Sequence, residues 1–179
     1  AGRSATVRID GKPPSAFPEL RVFNRVTHYP DSTWPMMLRV QPGVQPLLLE
    51  TWTLTLTELG DGYKQVKFKL TGSQTGPDGE GVSTERFVSR SGRVVIEPGD
   101  WNLEYCLQVF KRPVNTGFKI EWKVVPQFAD EVAGLVEHYG GGETAVTIAQ
   151  GLSNGRHQLE ISGNPKSGIS AIRVYRPAK

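Results

Sequence analysis

Cysteine is all but missing from this chain: Cys106 is the single thiol among 179 residues. One cysteine cannot close an intrachain disulfide, so cysteine usage does not identify an oxidising compartment. Cys106 lies in the apolar run Leu103-Glu104-Tyr105-Cys106-Leu107, where a buried, inert thiol is expected. Histidine is scarce as well. His28, His138 and His157 stand too far apart in sequence to form the local ligand pair of a zinc site. A metal centre would need the fold to bring His28 and His138 together. Apolar runs are short, and none reaches the roughly 18 residues that a membrane-spanning helix needs. No signal-peptide pattern is read at Ala1, and the chain reads equally as a processed form or as an excised piece.

Catalytic motifs are missing from the reading too. No Gly-x-Ser-x-Gly nucleophile elbow between a strand and a helix is read, and no Gly-Asp-Ser of the small esterases. Gly140-Gly141-Gly142-Glu143 runs into an expected strand, which disfavours a phosphate-cradling loop. A glycosidase pair is defined by spatial separation, so Glu97, Asp100, Glu104 and Glu121 stay open as carboxylate candidates. No cofactor is expected. Asp61 in Gly60-Asp61-Gly62, and Asp78 with Glu80, offer hard oxygens for a structural calcium, although both read first as turns.

What the chain has is strand pattern and turn chemistry. Hydrophobic residues make up 37% of it, with 20 glycines and 13 prolines, which suits many short strands joined by tight turns. In Glu50 to Glu58, Trp52, Leu54 and Leu56 alternate with Thr51, Thr53, Thr55 and Thr57, the pattern of a half-buried antiparallel strand. Tyr63 to Leu70 repeats it, and Gly60-Asp61-Gly62 predicts a hairpin between the two. Phe87–Ser89 with Arg93–Glu97, Leu103–Phe110 with Phe118–Val125, and Thr144–Ala149 with His157–Ser162 read as further hairpins. Thr6–Ile9, Leu20–Val26, Met36–Val40 and Ile169–Tyr175 read as strands. Residues 74–81 read as an exposed loop. Phe128–Tyr139, with Asp130 as N-cap, reads as either a short helix or an ordered loop. The expectation is one all-β domain over 1–179, an antiparallel two-sheet β-sandwich, jelly-roll-like, with at most one short helix.

The tryptophans sort by phase. Trp52 and Trp122 belong to the core, whereas Trp101 fits core or rim. Trp34, in the loop His28-Tyr29-Pro30-Asp31-Ser32-Thr33-Trp34-Pro35, is the best exposed platform for a sugar ring, with Tyr29, Asp31 and His28 beside it. The formal charge is +3 and the pI about 9.1, with the two signs interspersed, so a nucleic-acid-binding tail is not indicated. Lys67 and Lys69 alternate away from the apolar side of their strand. If the next hairpin lies close, Arg86, Arg90 and Arg93 join them in a basic patch that favours an acidic polysaccharide. Edge-strand protection is the plainer account of the same lysines.

The C-terminal third carries a resemblance. Thr147-Ile148-Ala149-Gln150-Gly151-Leu152-Ser153-Asn154-Gly155-Arg156-His157-Gln158-Leu159-Glu160-Ile161, then Ile169 to Pro177 with Arg173-Val174-Tyr175, resembles the closing strands of accessory β-sandwich domains in bacterial polysaccharide-active enzymes, those that accompany glycoside hydrolases and SGNH-type esterases. The resemblance implies a non-catalytic carbohydrate-binding module in an extracellular or periplasmic setting, beside a larger catalytic polypeptide. It transfers no binding residue; Trp34, Tyr29, Asp31, Trp101, Lys67, Lys69 and Arg90 are the candidates from the residues themselves. An esterase or glycosidase with a site assembled from distant residues, and a structural or protein-interaction module, are the alternatives.

Overall fold

A strand that alternates polar and apolar residues buries one face and solvates the other, so such strands stack in layers. The computed structural model describes residues 4–29, 36–60, 64–110, 114–133, 145–163 and 171–175. The fold is all-β and sandwich-like, built from antiparallel sheets, and it divides into two compact units. One comprises Ala1–Leu20 and Gln127–Lys179, the other Arg21–Pro126.

Among the described residues, the first unit carries a three-stranded sheet. Strand β1 (Ser4–Ile9) lies between β11 (Glu131–Ala133) and β12 (Leu159–Ser162). Ala5, Val7 and Ile9 are buried, in keeping with the strand's alternation. Of the two readings of Phe128–Tyr139, the helix is overturned over the described part: Phe128 bridges to Ala149 and β11 follows. The remainder of the segment, with His138, lies outside the described residues. The expected hairpin of 144–149 with 157–162 is also corrected. β12 pairs with β1, while residues 145–148 form no strand. Residues 171–175 form no strand either.

The second unit carries a six-stranded sheet. Its order is β2 (Arg21–Phe23), β10 (Lys119–Pro126), β5 (Thr51–Leu59), β6 (Val66–Gly72) and β7 (Gly76–Val82), with β3 (Thr27–Tyr29) also paired to β10. A three-stranded sheet of β4 (Gln41–Pro42), β9 (Val94–Ile96) and β8 (Phe87–Val88) contributes the other apolar layer. Trp52, Leu54, Leu56, Val66, Phe68, Leu70, Ile120, Trp122 and Val124 from the larger sheet share one core with Phe87, Val94 and Ile96 from the smaller. Trp52 and Trp122 are paired directly across β5 and β10 and are both fully buried, as their phase predicts.

Two segments read as strands take another form. Leu103–Phe110 is not a strand but helix α1. The Asn102 carbonyl accepts from the Cys106 N–H, which places Asn102 at the N-cap, a position that asparagine favours. Burial then recurs at helical spacing, with Cys106 buried three residues after the core-packed Leu103 while Glu104 and Tyr105 face solvent. Met36–Val40 likewise forms only a single bridge, Met37 to Trp101.

The expected loop over 74–81 contributes strand β7, despite its glycines and proline. As the outermost strand of the sheet it tolerates Pro77, and a register shift opposite Leu70 and Thr71 absorbs the irregular backbone. The glycines answer to close approach. A Cβ on Gly81 would lie 2.7 Å from Phe68 Cζ and 2.8 Å from Phe87 Cδ2. Gly81→Val is expected to destabilise the domain by about 1–3 kcal/mol by overpacking these rings. Gly99→Ala, where the added Cβ meets open space, is the matched control and leaves the urea midpoint nearly unchanged.

Candidate functional site

The alternation that drives Trp52, Leu54 and Leu56 inward sends the intervening residues of the larger sheet to its outer face. Register then lines them up across strands. Lys119 on β10 is opposite Thr55 on β5, Thr55 is opposite Lys69 on β6, and Lys69 is opposite Glu80 on β7. The next row runs Glu121, Thr53, Thr71 and Pro77; beyond it Lys123 pairs with Thr51. Neighbouring strands sit about 4.8 Å apart and alternate residues about 6.7 Å apart along each strand. The face therefore carries threonine hydroxyls set among ammonium groups, with the Glu121 and Glu80 carboxylates in the same rows.

Lys67, Lys69, Lys119 and Lys123 are all exposed, and the partly exposed Thr51, Thr53, Thr55 and Thr71 lie between them. Lys67 Nζ donates to Glu58 Oε2 at 2.8 Å, an exposed pair of small energetic weight. Thr53 Oγ1 donates to Glu121 Oε1 at 3.3 Å. Strand β3 brings Tyr29 opposite Lys119 and Thr27 opposite Glu121.

The other residues singled out from the sequence are scattered. Trp34 and Asp31 lie outside the described residues, as does Asp61. Trp101 resolves toward the core: half-buried, its ring is 5.5 Å from that of Phe68, so it is not a solvent-facing platform. The hairpin that carries Arg86, Arg90 and Arg93 joins β4 in the smaller sheet and is not hydrogen-bonded into the larger one. Arg86 is paired with Glu97, Arg93 Nε donates to the Pro46 carbonyl, and Arg90 lines a shallow groove of about 410 Å³ with Glu80 and Glu85.

Asp78, a calcium candidate in the sequence, is buried and holds the β8–β9 turn. Its two carboxylate oxygens accept from the Ser91 N–H and the Ser91 hydroxyl, each at 2.7 Å. Glu50, also buried, accepts from the Gln74 and Thr75 N–H groups and the Thr75 hydroxyl, so it ties down the β6–β7 turn. Burial pushes the Cys106 thiol up, away from the reactive thiolate. Among the described residues no three His, Cys, Asp or Glu side chains are grouped to hold a metal ion, and no helix is long and apolar enough to cross a membrane.

One motif escaped the sequence reading. Gly151-Leu152-Ser153-Asn154-Gly155 does spell Gly-x-Ser-x-Gly, and His157 with Asp10 sits beside it. The local structure is not a nucleophile elbow. The segment is an exposed turn that leads into β12, with no helix after it. His157 Nε2 is bonded to the backbone carbonyl of Ser153 at 2.9 Å, so the nitrogen that would serve as base is already engaged by the main chain. Comparison with known proteins finds no matching family model, no matching curated protein and no matching solved structure.

Proposed function

We propose that this chain is a non-catalytic module that binds an acidic polysaccharide on the outer face of its larger sheet. The row Lys119–Thr55–Lys69, flanked by Lys123 and Lys67, is the observation that carries the reading. Lysines supply charge for carboxylates along the polymer, and threonine hydroxyls both donate to and accept from sugar hydroxyls. An open sheet face accommodates an extended chain without a deep pocket. The proposal sets the module outside the cytoplasm, in an extracellular or periplasmic setting beside a larger catalytic polypeptide.

Calorimetry with a uronic-acid polymer and a neutral glucan tests it. The acidic polymer binds at low salt, and binding fades as ionic strength brings the Debye length below about 10 Å. The double variant Lys69→Ala with Lys119→Ala weakens binding about tenfold, two exposed charge contacts of roughly 0.7 kcal/mol each. Its unfolding midpoint stays put, because both side chains are exposed. Equal or absent binding of the two polymers at low salt would sink the reading and leave the lysines as surface charge.

A further inference from the structure

We propose that His157, held between the Asp10 carboxylate and the Ser153 carbonyl, is an acid-set latch that tightens the 153–158 turn against the end of β1 and loosens it as pH rises. The anchor is a tight turn. Asp10 and Gly11 have φ of 51° and 76°, and Ile9 and Lys12 exchange backbone hydrogen bonds across them. Aspartate is among the few non-glycine residues that tolerate this left-handed conformation. The turn aims the Asp10 side chain at the opposing segment. Oδ1 accepts from the Gln158 N–H at 2.8 Å, and Oδ2 lies 2.7 Å from His157 Nδ1. The Asp10 N–H donates in turn to the Gln158 carbonyl at 2.9 Å.

The other ring nitrogen decides the protonation state. Nε2 is 2.9 Å from the Ser153 carbonyl oxygen, and a carbonyl only accepts. Both nitrogens therefore face acceptors. A neutral imidazole has one N–H, so either tautomer leaves a lone pair against an oxygen; only the imidazolium donates to both. The side chain is 24% exposed, which gives protons access without loosening the geometry. The charged groups around it are Asp10, Glu19 from the Pro18–Leu20 turn, and Lys12 beside Asp10. The Asp10 hydrogen bond first, then the Ser153 carbonyl, raise the imidazole above its ordinary value against the opposing effect of burial; the Asp10 and Glu19 charges add to the rise.

A raised folded value fixes the direction. The latch is complete below the unfolded imidazole value of about 6.5, and it is lost as pH rises through the higher folded value. Titration of the isotope-labelled full chain by nuclear magnetic resonance reads this directly. The expected result is two protonated ring nitrogens at acid pH, a His157 midpoint above that of free imidazole, and faster amide exchange over 153–158, beyond the intrinsic pH effect, once the ring deprotonates. Asp10→Asn keeps a residue that tolerates the left-handed turn and removes the charge. It moves the midpoint down and weakens the pH dependence of exchange. His157→Gln, which cannot titrate, abolishes that dependence. A midpoint at or below that of free imidazole, or turn amides equally protected on both sides of it, would overturn the latch.

Discussion

The Trp122→Ala variant loses about 3–5 kcal/mol of unfolding free energy, the cost of removing a large buried aromatic ring and leaving a cavity behind it. Trp122 is 1% exposed, at the centre of β10, and sits directly opposite the equally buried Trp52. The Phe23 ring meets it edge-on, with centroids 6.2 Å apart and planes at 81°. No small shift of one strand can refill that space, because β10 is hydrogen-bonded on both sides. The Trp122 indole N–H has no acceptor among the described residues. Trp122→Phe therefore forfeits ring area but no hydrogen bond, and it costs much less than Ala. Urea denaturation of the two variants makes the comparison. An Ala variant within about 1 kcal/mol of the parent would place Trp122 outside the principal core.

Asp100→Ala is the second severe change, at about 2–3 kcal/mol, through loss of a turn cap and of the shared acceptor for three partly buried hydrogen bonds. Asp100 is completely buried, yet its ion-pair partner Arg39 has a side chain 67% exposed. The carboxylate accepts from Arg39, from Gln41 Nε2 at 3.2 Å and from the Glu97 N–H at 2.9 Å. The last bond closes the Pro98–Asp100 turn that leads into Trp101 and α1. Burial pushes the Asp100 carboxyl up, but the bonds from Arg39, the Glu97 N–H and Gln41 outweigh it and hold it below the usual carboxylate range. The stability it contributes is present above the unfolded value of about 3.9, and it is lost as pH falls through the lower folded value. A pH series of denaturation curves checks this: the parent loses stability in that acid window, and Asp100→Asn lacks that share of the loss.

Much of this was legible in the chain. Strands β5, β6 and β10 follow from alternation alone, and so does the assignment of Trp52 and Trp122 to the core. A period of two leaves no other way to bury one face of an antiparallel strand. The hairpin of β8 and β9 follows from Ser91-Gly92 between two apolar segments. Lys67 and Lys69 were likewise placed on the solvent side by phase.

Tertiary structure decided the rest. Leu103–Phe110 satisfies both periods over so short a run, and the helix is set by the Asn102 cap and the packing of Leu103 and Cys106 against the core. Residues 76–82 have the composition of a loop; they become a strand because an edge position accepts proline and because Phe68 and Phe87 need a neighbour without a Cβ at Gly81. Which strands pair is also beyond local pattern. Register of β10 against β5, segments far apart in the chain, is what joins Lys119 and Lys123 to the threonines and lysines of the β5–β6 hairpin in one face, and the joining of β8 and β9 to β4 is what puts the arginine hairpin in the smaller sheet. In β5, β6 and β10, sequence alone thus determined which side chains turn inward and which outward. Only the long-range hydrogen-bond ladder, whose partners no local signal names, decided which of the outward ones meet.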